Sequence, residues 1–351
     1  MRKSAARVVV VFVCGLVIVG LGLQIRRPGE ITIDSGTRVI MGTFARVVAV
    51  AKDSQTAEAA IGAAFREQQQ IEILCSYHRS DSELNRVNRE AFDKPVKVDK
   101  RTFEVLQQAL HFSKLSQGAF DVTVGPLMDL WRSAGEANAA PTDAAIAEAR
   151  SKVGWQKMVL DANEMTVRFG VEGMKIDLGG IAKGYAIDKS IEAMKEWGLL
   201  GGMVDIGGNV RCFGKPAHVY KSGFRRSKAK WLIGLQDPNV APDDLSPGKP
   251  VLVLKLTEGA VATSGHYRRF VTVQGKKQTH IMDPHSGYGS ANLASVTIIA
   301  PDATTADALS TAVSVMGTEE GLALVEALPD VEVILILNDG KVLKSSGAER
   351  L

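Results

Sequence analysis

The stretch that decides the fold is Lys175-Ile-Asp-Leu-Gly-Gly-Ile-Ala-Lys-Gly-Tyr-Ala-Ile-Asp188. It begins with a short apolar run that predicts a strand ending at Asp177, and its pattern becomes helical after Gly179 and Gly180. A helix that starts directly after two glycines exposes unpaired N–H groups in its first turn, and these groups attract phosphate. Glycine also lets a ligand approach the backbone closely. The stretch therefore predicts a phosphate-binding turn, although a capped turn without a ligand has the same pattern.

Composition places the chain among soluble globular proteins. It has 351 residues, of which 45% are hydrophobic and 23% are charged, so it is long enough for one large domain or two ordinary ones. The formal net charge of +3 argues against a dedicated nucleic-acid binder, which would carry a strong basic excess. The three cysteines, Cys14, Cys75 and Cys212, form no CxxC pair, so we expect neither a zinc site nor a disulfide framework. Cys75 and Cys212 are expected to be small buried residues rather than a pair.

The N-terminus has the pattern of an export or anchor segment. Basic residues within the first seven positions precede an uncharged run from Val8 to Ile25, and Arg26-Arg27 follows. The run is near the lower length limit for a spanning helix and has no good cleavage site, which favours an uncleaved signal-anchor over 1–29 to a cleaved signal peptide. The sequence therefore predicts anchoring in the cytoplasmic membrane by an N-terminal helix, with residues 30–351 on the extracytoplasmic (periplasmic) side.

Helical and strand-like patterns alternate irregularly over 30–351, with hairpin-like spacing in the second half. This order predicts a single α+β domain of mixed or antiparallel sheets with packed helices. Ser80-x-x-Glu83 is a capping-box pattern, and Asp99 and Thr142 are expected to cap later helices. The predicted helices are 54–76, a short one that opens at the Ser80-x-x-Glu83 box and runs through Arg89, 101–116, 127–132, one that Thr142 caps and that runs to about Val153, 304–315 and 319–328, with another that begins after Gly180 and ends before Gly198. The predicted strands are 37–51 with an interruption at Met41-Gly-Thr43, 96–98, 157–160, 166–169, 174–176, a pair within 203–212, 231–235, 251–256, 260–263, 270–273, 296–299, 331–337 and 342–343.

A second motif, Ala306-Asp-Ala-Leu-Ser-Thr-Ala312, carries oxygen ligands. On a helix, Asp307, Ser310 and Thr311 share one face because they lie at positions i, i+3 and i+4. A carboxylate and hydroxyls on one face suit Mg²⁺, whereas the lack of paired histidines or cysteines makes zinc a poor fit. A polar helix face without a metal has the same spacing.

Two further motifs could contribute to a site. In Thr279-His-Ile-Met-Asp-Pro-His-Ser-Gly287, a turn follows His280, and a histidine at a strand end can transfer protons near neutral pH or be purely structural. In Val261-Ala-Thr-Ser-Gly-His-Tyr-Arg-Arg-Phe270, a strand breaks before aromatic and cationic side chains, which predicts either a hairpin corner or a contact with phosphate and a ring.

Taken together and in order, these pieces resemble the ApbE family of FAD:protein FMN transferases. The resemblance runs over about residues 38 to 317. Its motifs are Met41-Gly-Thr43, Ser82-Glu-Leu84 with Asn88, Gly118-Ala-Phe-Asp-Val-Thr-Val-Gly-Pro-Leu127, Asp177-Leu-Gly-Gly-Ile-Ala-Lys-Gly-Tyr-Ala186, Gly207-Gly-Asn209, Ala262-Thr-Ser-Gly265 with Tyr267-Arg-Arg269, His280-Ile-Met-Asp-Pro284 and Ala306-Asp-Ala-Leu-Ser-Thr311. His266 stands where the family often has an acid.

The resemblance implies an ApbE-like, T-fold-like domain and an Mg²⁺-dependent reaction. The family cleaves FAD at its diphosphate, attaches FMN to a threonine or serine of an exported or membrane-bound redox protein, and releases AMP. Some members instead hydrolyse FAD to FMN and AMP, and this FAD pyrophosphatase activity is the nearest alternative. A periplasmic flavin-binding protein without turnover is the non-enzymatic alternative.

The resemblance also implies roles for individual residues. Gly180, through its carbonyl, Asp307 and Thr311 are the expected metal ligands, with Ser310 as an additional candidate. His280 is the expected base for the target hydroxyl, and Asp307 takes part in catalysis through the metal. The expected contacts with FAD are Met41, Tyr77, Ala119, Phe120, Asp121, Asp177, Lys183 and Ile281.

Overall fold

The computed structural model describes residues 30–216, 230–236, 238, 250–265 and 270–350. The predicted membrane segment 1–29 and the motif residues Tyr267-Arg-Arg269 lie outside these ranges. Within them, no helix combines the length and the apolar composition needed to cross a membrane.

The strands form one large sheet and three small ones. The large sheet has eight strands in the order β1-β2-β6-β7-β10-β13-β14-β15, and each pair of neighbours is antiparallel. The small sheets are β3-β5-β4, β8-β9 and β11-β12. The strand bounds are β1 Ile31–Ile40, β2 Thr43–Ala51, β3 Val96–Lys97, β4 Met158–Asp161, β5 Thr166–Phe169, β6 Gly201–Ile206, β7 Asn209–Gly214, β8 Trp231–Leu235, β9 Leu252–Leu256, β10 Gly259–Gly265, β11 Phe270–Val273, β12 Lys276–Thr279, β13 Ser295–Ala300, β14 Glu332–Ile336 and β15 Val342–Lys344.

Eight α-helices are present in the described ranges. Asp99 and Thr142 cap α3 and α5 through their side chains, as the sequence predicted. The bounds are α1 Ser54–Cys75, α2 Glu83–Glu90, α3 Lys100–Leu115, α4 Gly125–Ala137, α5 Asp143–Ser151, α6 Ala182–Lys195, α7 Ala303–Met316 and α8 Thr318–Glu326.

The central strands of the large sheet are buried on both faces. Along β2, Val47, Ala49 and Ala51 belong to the core beneath the helices, whereas Val48 and Val50 belong to a second core. The second core is closed by the β8–β9 hairpin, which contributes buried side chains from both of its strands. Because side chains alternate between the faces of a strand, the near-continuous burial of β2 and β13 follows from having one cover on each face.

Helices α6 and α7 pack closely enough to bring distant motifs together. A methyl group added at Gly184 in α6 would lie 2.2 Å from the backbone oxygen of Ala303 and 2.8 Å from Cβ of Asp307. Only glycine fits at such a crossing. The stretch 175–188 and the motif that contains Asp307 are therefore neighbours.

The structure corrects three local predictions. The predicted strand 37–51 is part of the β1–β2 hairpin, and the predicted interruption at Met41-Gly-Thr43 is the turn of this hairpin, where Met41 and Gly42 have positive φ. Glu83 does not complete a capping box, because it begins α2 while Ser82 is the cap. The predicted strand 174–176 is absent; instead, the side chain of Asn88 accepts from the Ile176 N–H at 2.7 Å and donates to its carbonyl at 3.0 Å, taking the place of a neighbouring strand.

Candidate functional site

One face of α7 organises the candidate site. Asp307, Thr311 and Val315 follow one another at intervals of four residues, so their side chains lie one turn apart along the same face. We call this the α7 site face. Each of its three residues meets a different part of the chain.

At the N-terminal level, the carboxylate of Asp307 is buried and accepts hydrogen bonds from three groups. Its side chain is 3% exposed. Lys183 Nζ lies 3.0 Å from Oδ1 and 3.2 Å from Oδ2, the Gly184 N–H donates to Oδ2 at 3.0 Å, and Asn209 Nδ2 donates to Oδ1 at 2.8 Å. Asn209 is itself buried at the start of β7. These contacts fix the orientation of the carboxylate.

At the middle level, Thr311 faces the Gly-Gly turn. A methyl group added at Gly180 would lie 3.1 Å from Thr311 Oγ1 and 3.2 Å from Phe120 Cε2. The Thr311 hydroxyl donates to the carbonyl of Asp307 at 3.3 Å, so its oxygen lone pairs stay available as acceptors. Gly180, Thr311 and Phe120, which come from three separate motifs, therefore lie together.

At the C-terminal level, Val315 packs with Ala119 and Ile281 in a small apolar cluster, with Met316 at its edge. Ile281 follows directly after His280, whose side chain is exposed at the end of β12. The structure thus brings two expected flavin contacts, Ala119 and Ile281, to the same end of the α7 site face as the expected base.

The turn that carries Phe120 is held by Asp121. Asp121 Oδ1 accepts from the Thr123 N–H at 2.8 Å and from the Thr123 hydroxyl at 2.7 Å, while Oδ2 accepts from the Trp155 N–H at 2.9 Å. Burial raises the pKa of the Asp121 carboxyl, and these hydrogen bonds oppose that shift. The three bonds use both carboxylate oxygens to shape the loop, so Asp121 orients the loop that presents Ala119 and Phe120.

Asp177 closes the turn before Gly180. Its Oδ1 accepts from the Gly179 N–H at 2.8 Å, and its own N–H donates to Val122 at 2.7 Å. Burial raises the pKa of the Asp177 carboxyl. The Asp177 carboxylate therefore caps the Gly-Gly turn and links it to the loop after Phe120.

Met41 and Tyr77 lie on other elements. Met41 is at the tip of the β1–β2 hairpin and packs partly against the main core. The Tyr77 hydroxyl donates to Asp129 Oδ1 at 2.8 Å, and burial raises the pKa of that hydroxyl. Asp129 also accepts from Lys175 Nζ at 2.7 Å, which connects Tyr77 to the start of the stretch that decides the fold.

The donor set at Asp307 and Thr311 fits a hard cation such as Mg²⁺. It offers carboxylate and hydroxyl oxygens beside the Gly-Gly turn, the ligand chemistry that Mg²⁺ prefers. A cation already occupies part of this environment, because the ammonium of Lys183 lies 3.0 Å from Asp307 Oδ1 and 3.4 Å from the carbonyl of Gly179. No cluster of three or more His, Cys, Asp or Glu side chains suited to a metal occurs in the described ranges. Gly180, Asp307 and Thr311 would hold the ion.

Two sets of contacts at the site were not predicted from the sequence. The Ser310 hydroxyl lies 2.8 Å from Ser264 Oγ on β10 and donates to the Asp307 carbonyl at 2.9 Å, so it links the Ala262-Thr-Ser-Gly265 motif to α7. Sequence reasoning gave no role to Asn209 or Gly184, although both donate to Asp307. An Asn after two glycines is typical of a turn. The sequence around Asn209 therefore does not indicate that its side chain also donates to Asp307.

This chain is similar to a known protein family, to curated proteins and to solved structures. A model of the ApbE family matches residues 41–335. The FAD:protein FMN transferase of Treponema pallidum is 33% identical over 348 residues, covering 97% of this chain and 92% of the relative. That of Vibrio cholerae is 32% identical over 288 residues, covering 81% and 80%. The crystal structure of the ApbE protein from Thermotoga maritima superimposes with a TM-score of 0.77 at 32% identity, covering 92% of this chain and 98% of that one.

Proposed function

Because this chain belongs to the ApbE family, we propose that it is an FAD:protein FMN transferase, as its relatives are named. It cleaves FAD in an Mg²⁺-dependent reaction and attaches FMN to a threonine or serine of an exported or membrane-bound redox protein. The observation that carries this proposal is the α7 site face. Along one helix it joins a site for a cation, the Gly-Gly turn, an apolar cluster and, beside that cluster, His280.

The residues divide the work of the reaction by their chemistry. Asp307, Thr311 and the Gly180 carbonyl would hold the metal, and the chemistry that Mg²⁺ would supply there is neutralisation of charge on the diphosphate. The apolar cluster of Ala119, Ile281 and Val315 offers a dry surface to the flavin ring. Met41, Tyr77, Phe120 and the Asp121 and Asp177 loops complete the FAD site.

His280 is the proposed general base. The target hydroxyl oxygen forms a bond to the phosphorus of the FMN half, and the bond between that phosphorus and the bridging oxygen breaks. AMP leaves with the bridging oxygen, and the hydroxyl proton passes to the imidazole of His280. His280 is exposed at the end of β12, so a side chain of another protein can reach it, which suits a macromolecular acceptor.

The reaction is tested by incubating the full chain with FAD, MgCl₂ and an exported flavoprotein subunit that has a threonine attachment site. We expect intact-mass spectrometry to show FMN on this subunit and none on the same subunit with that threonine replaced by alanine. FMN and AMP in solution without labelled protein would replace this proposal with an FAD pyrophosphatase. Bound FAD without any turnover would replace it with a flavin-binding protein.

Two variants connect this assay to the site. Asp307→Ala should abolish transfer, since the metal loses its charged ligand, whereas Asp339→Ala in the exposed turn after β14 should retain it.

His280→Ala should lower the transfer rate more than the affinity for FAD, because a base acts on the acceptor hydroxyl. Equal losses in both quantities would remove His280 from the role of base.

The membrane location is part of the same proposal. The basic start, the uncharged run Val8–Ile25 and the following arginines support a signal-anchor over 1–29 that holds the catalytic domain on the extracytoplasmic side of the cytoplasmic membrane. Added protease should therefore digest the domain in spheroplasts without lysis. Protection of the domain until lysis would contradict this orientation.

A further inference from the structure

The Lys183–Asp307 ion pair combines groups that the reaction would use separately. Lys183 is an expected FAD contact and Asp307 an expected metal ligand, yet here the ammonium lies on both oxygens of the carboxylate, 3.0 and 3.2 Å away. The same ammonium lies 3.4 Å from the carbonyl of Gly179 in the Gly-Gly turn. A carboxylate and a backbone carbonyl around a cation are the surroundings of a metal ion.

The carboxylate has other partners that hold its geometry. The Gly184 N–H and the Asn209 amide, both neutral, already orient one oxygen each. What Lys183 adds is charge. The Asp307 side chain is 3% exposed, and a buried carboxylate without a nearby cation is strongly unfavourable.

We propose that the Lys183 ammonium is a resident cation that occupies the place of the metal on Asp307 when the enzyme is metal-free, and that Mg²⁺ must displace it to bind. The inference rests on the metal assignment of the proposed function. Lys183 is 27% exposed, so a rotation of its four-carbon side chain can carry the ammonium to solvent or to an anionic ligand. A phosphate group of FAD is such a ligand, so displacement would place Lys183 on the substrate and leave the Asp307 carboxylate to the metal.

The consequence is competition between two cations for one carboxylate. Replacing Lys183 by methionine should make a divalent metal bind more tightly in the absence of FAD, because the metal no longer displaces an ammonium. FAD is omitted since its diphosphate binds divalent metals directly. Mn²⁺ is the probe, because it takes the same oxygen ligands as Mg²⁺ and its free form is measured by electron paramagnetic resonance.

We expect Lys183→Met to bind Mn²⁺ at least about tenfold more tightly than the parent. Lys183→Arg keeps the charge and should bind no more tightly than the parent. The matched control is Lys189→Met on the same helix. Lys189 is 25% exposed and is paired with Glu104 and Glu192, at 3.3 and 3.0 Å, rather than with Asp307, so its loss should leave the Mn²⁺ affinity unchanged.

A second measurement uses the parent protein and so does not depend on the folding of a variant. Saturating MgCl₂ without FAD should increase labelling of Lys183 by an amine-reactive reagent, relative to Lys189, when both are followed by mass spectrometry. Parent-like or weaker Mn²⁺ binding by Lys183→Met, or unchanged labelling of Lys183 with Mg²⁺, would overturn the inference. Transfer activity enters neither measurement, so the flavin transferase assignment can stand even if this inference fails.

Discussion

At the residue scale, Gly180 brings its backbone close to Thr311 and Phe120. Sequence spacing places Asp307 and Thr311 on one helix face, but nothing in the sequence shows that this face meets Gly180 and Phe120, which lie far away along the chain. The contact exists because α6 and α7 cross at Gly184. Gly180 then faces the Thr311 hydroxyl and the Phe120 ring so closely that an added methyl group would make tight contacts with both.

Gly180→Ala tests this packing. The new methyl group would lie 3.1 Å from Thr311 Oγ1 and 3.2 Å from Phe120 Cε2, so one of these groups must shift. We expect the transfer rate to fall about 10- to 100-fold and the free energy of unfolding to fall by about 1–3 kcal/mol. Steady-state kinetics and urea unfolding measure the two effects.

Gly62→Ala in α1 is the control. Its methyl group would meet only the flexible end of Arg66, at 3.3 Å, and alanine favours a helix by about 1 kcal/mol. Stability should therefore rise at unchanged activity. A Gly180→Ala variant that transfers flavin at the parent rate would contradict the proposed role of Gly180 as a metal ligand.

At the element scale, α7 is held at its start by a residue of α6. Asp188 is buried, and its carboxylate accepts from the N–H groups of Ala303 and Thr304, both at 2.8 Å, and from the Thr304 hydroxyl at 2.6 Å. Arg211 on β7 completes the cluster at 2.7 Å. Because anions are favourable at a helix N-terminus, Asp188 joins α6, α7 and the sheet at the point from which Asp307 and Thr311 project.

Replacing Asp188 should lower the free energy of unfolding far more than replacing the N-cap residue of the same helix. Asp188→Ala leaves the guanidinium of Arg211 partly buried without its partner, and we expect a loss of about 3–5 kcal/mol in the free energy of unfolding. Replacing Asp302, the N-cap of α7, by alanine should lower the free energy of unfolding by about 1 kcal/mol. Urea unfolding of both variants gives the comparison. Equal losses would mean that Asp188 acts only as a second cap.

The same scale shows what pattern reasoning can predict. Helices with a clear cap and apolar period, such as α3 and α5, were predicted to within a few residues. The wrong strand at 174–176 has a specific cause. Its residues are apolar enough for a strand, but the side chain of Asn88 satisfies the backbone of Ile176, and no local pattern shows a partner that lies so far away along the chain.

At the scale of the whole molecule, two cores share one sheet. Cys75, at the end of α1, belongs to the helix-side core, and Cys212, on β7, belongs to the core under the β8–β9 hairpin. Both are buried free thiols, as the composition suggested. Alternation along β2 predicts two faces, but not that a hairpin covers one of them, because that depends on contacts between segments distant in sequence.

The two thiols report whether both cores unfold together. Burial raises the pKa of Cys75 to about 12 and that of Cys212 to about 12, and the thiolate is the form that reacts. Iodoacetamide at pH 8 should therefore leave both unlabelled in the native protein. Since residues of one sheet form both cores, both thiols should become reactive over the same range of urea concentration, as followed peptide by peptide by mass spectrometry. Labelling of Cys212 at lower urea than Cys75 would show that the hairpin-side core opens independently, and failure of both to label in the unfolded, unreduced chain would indicate a disulfide.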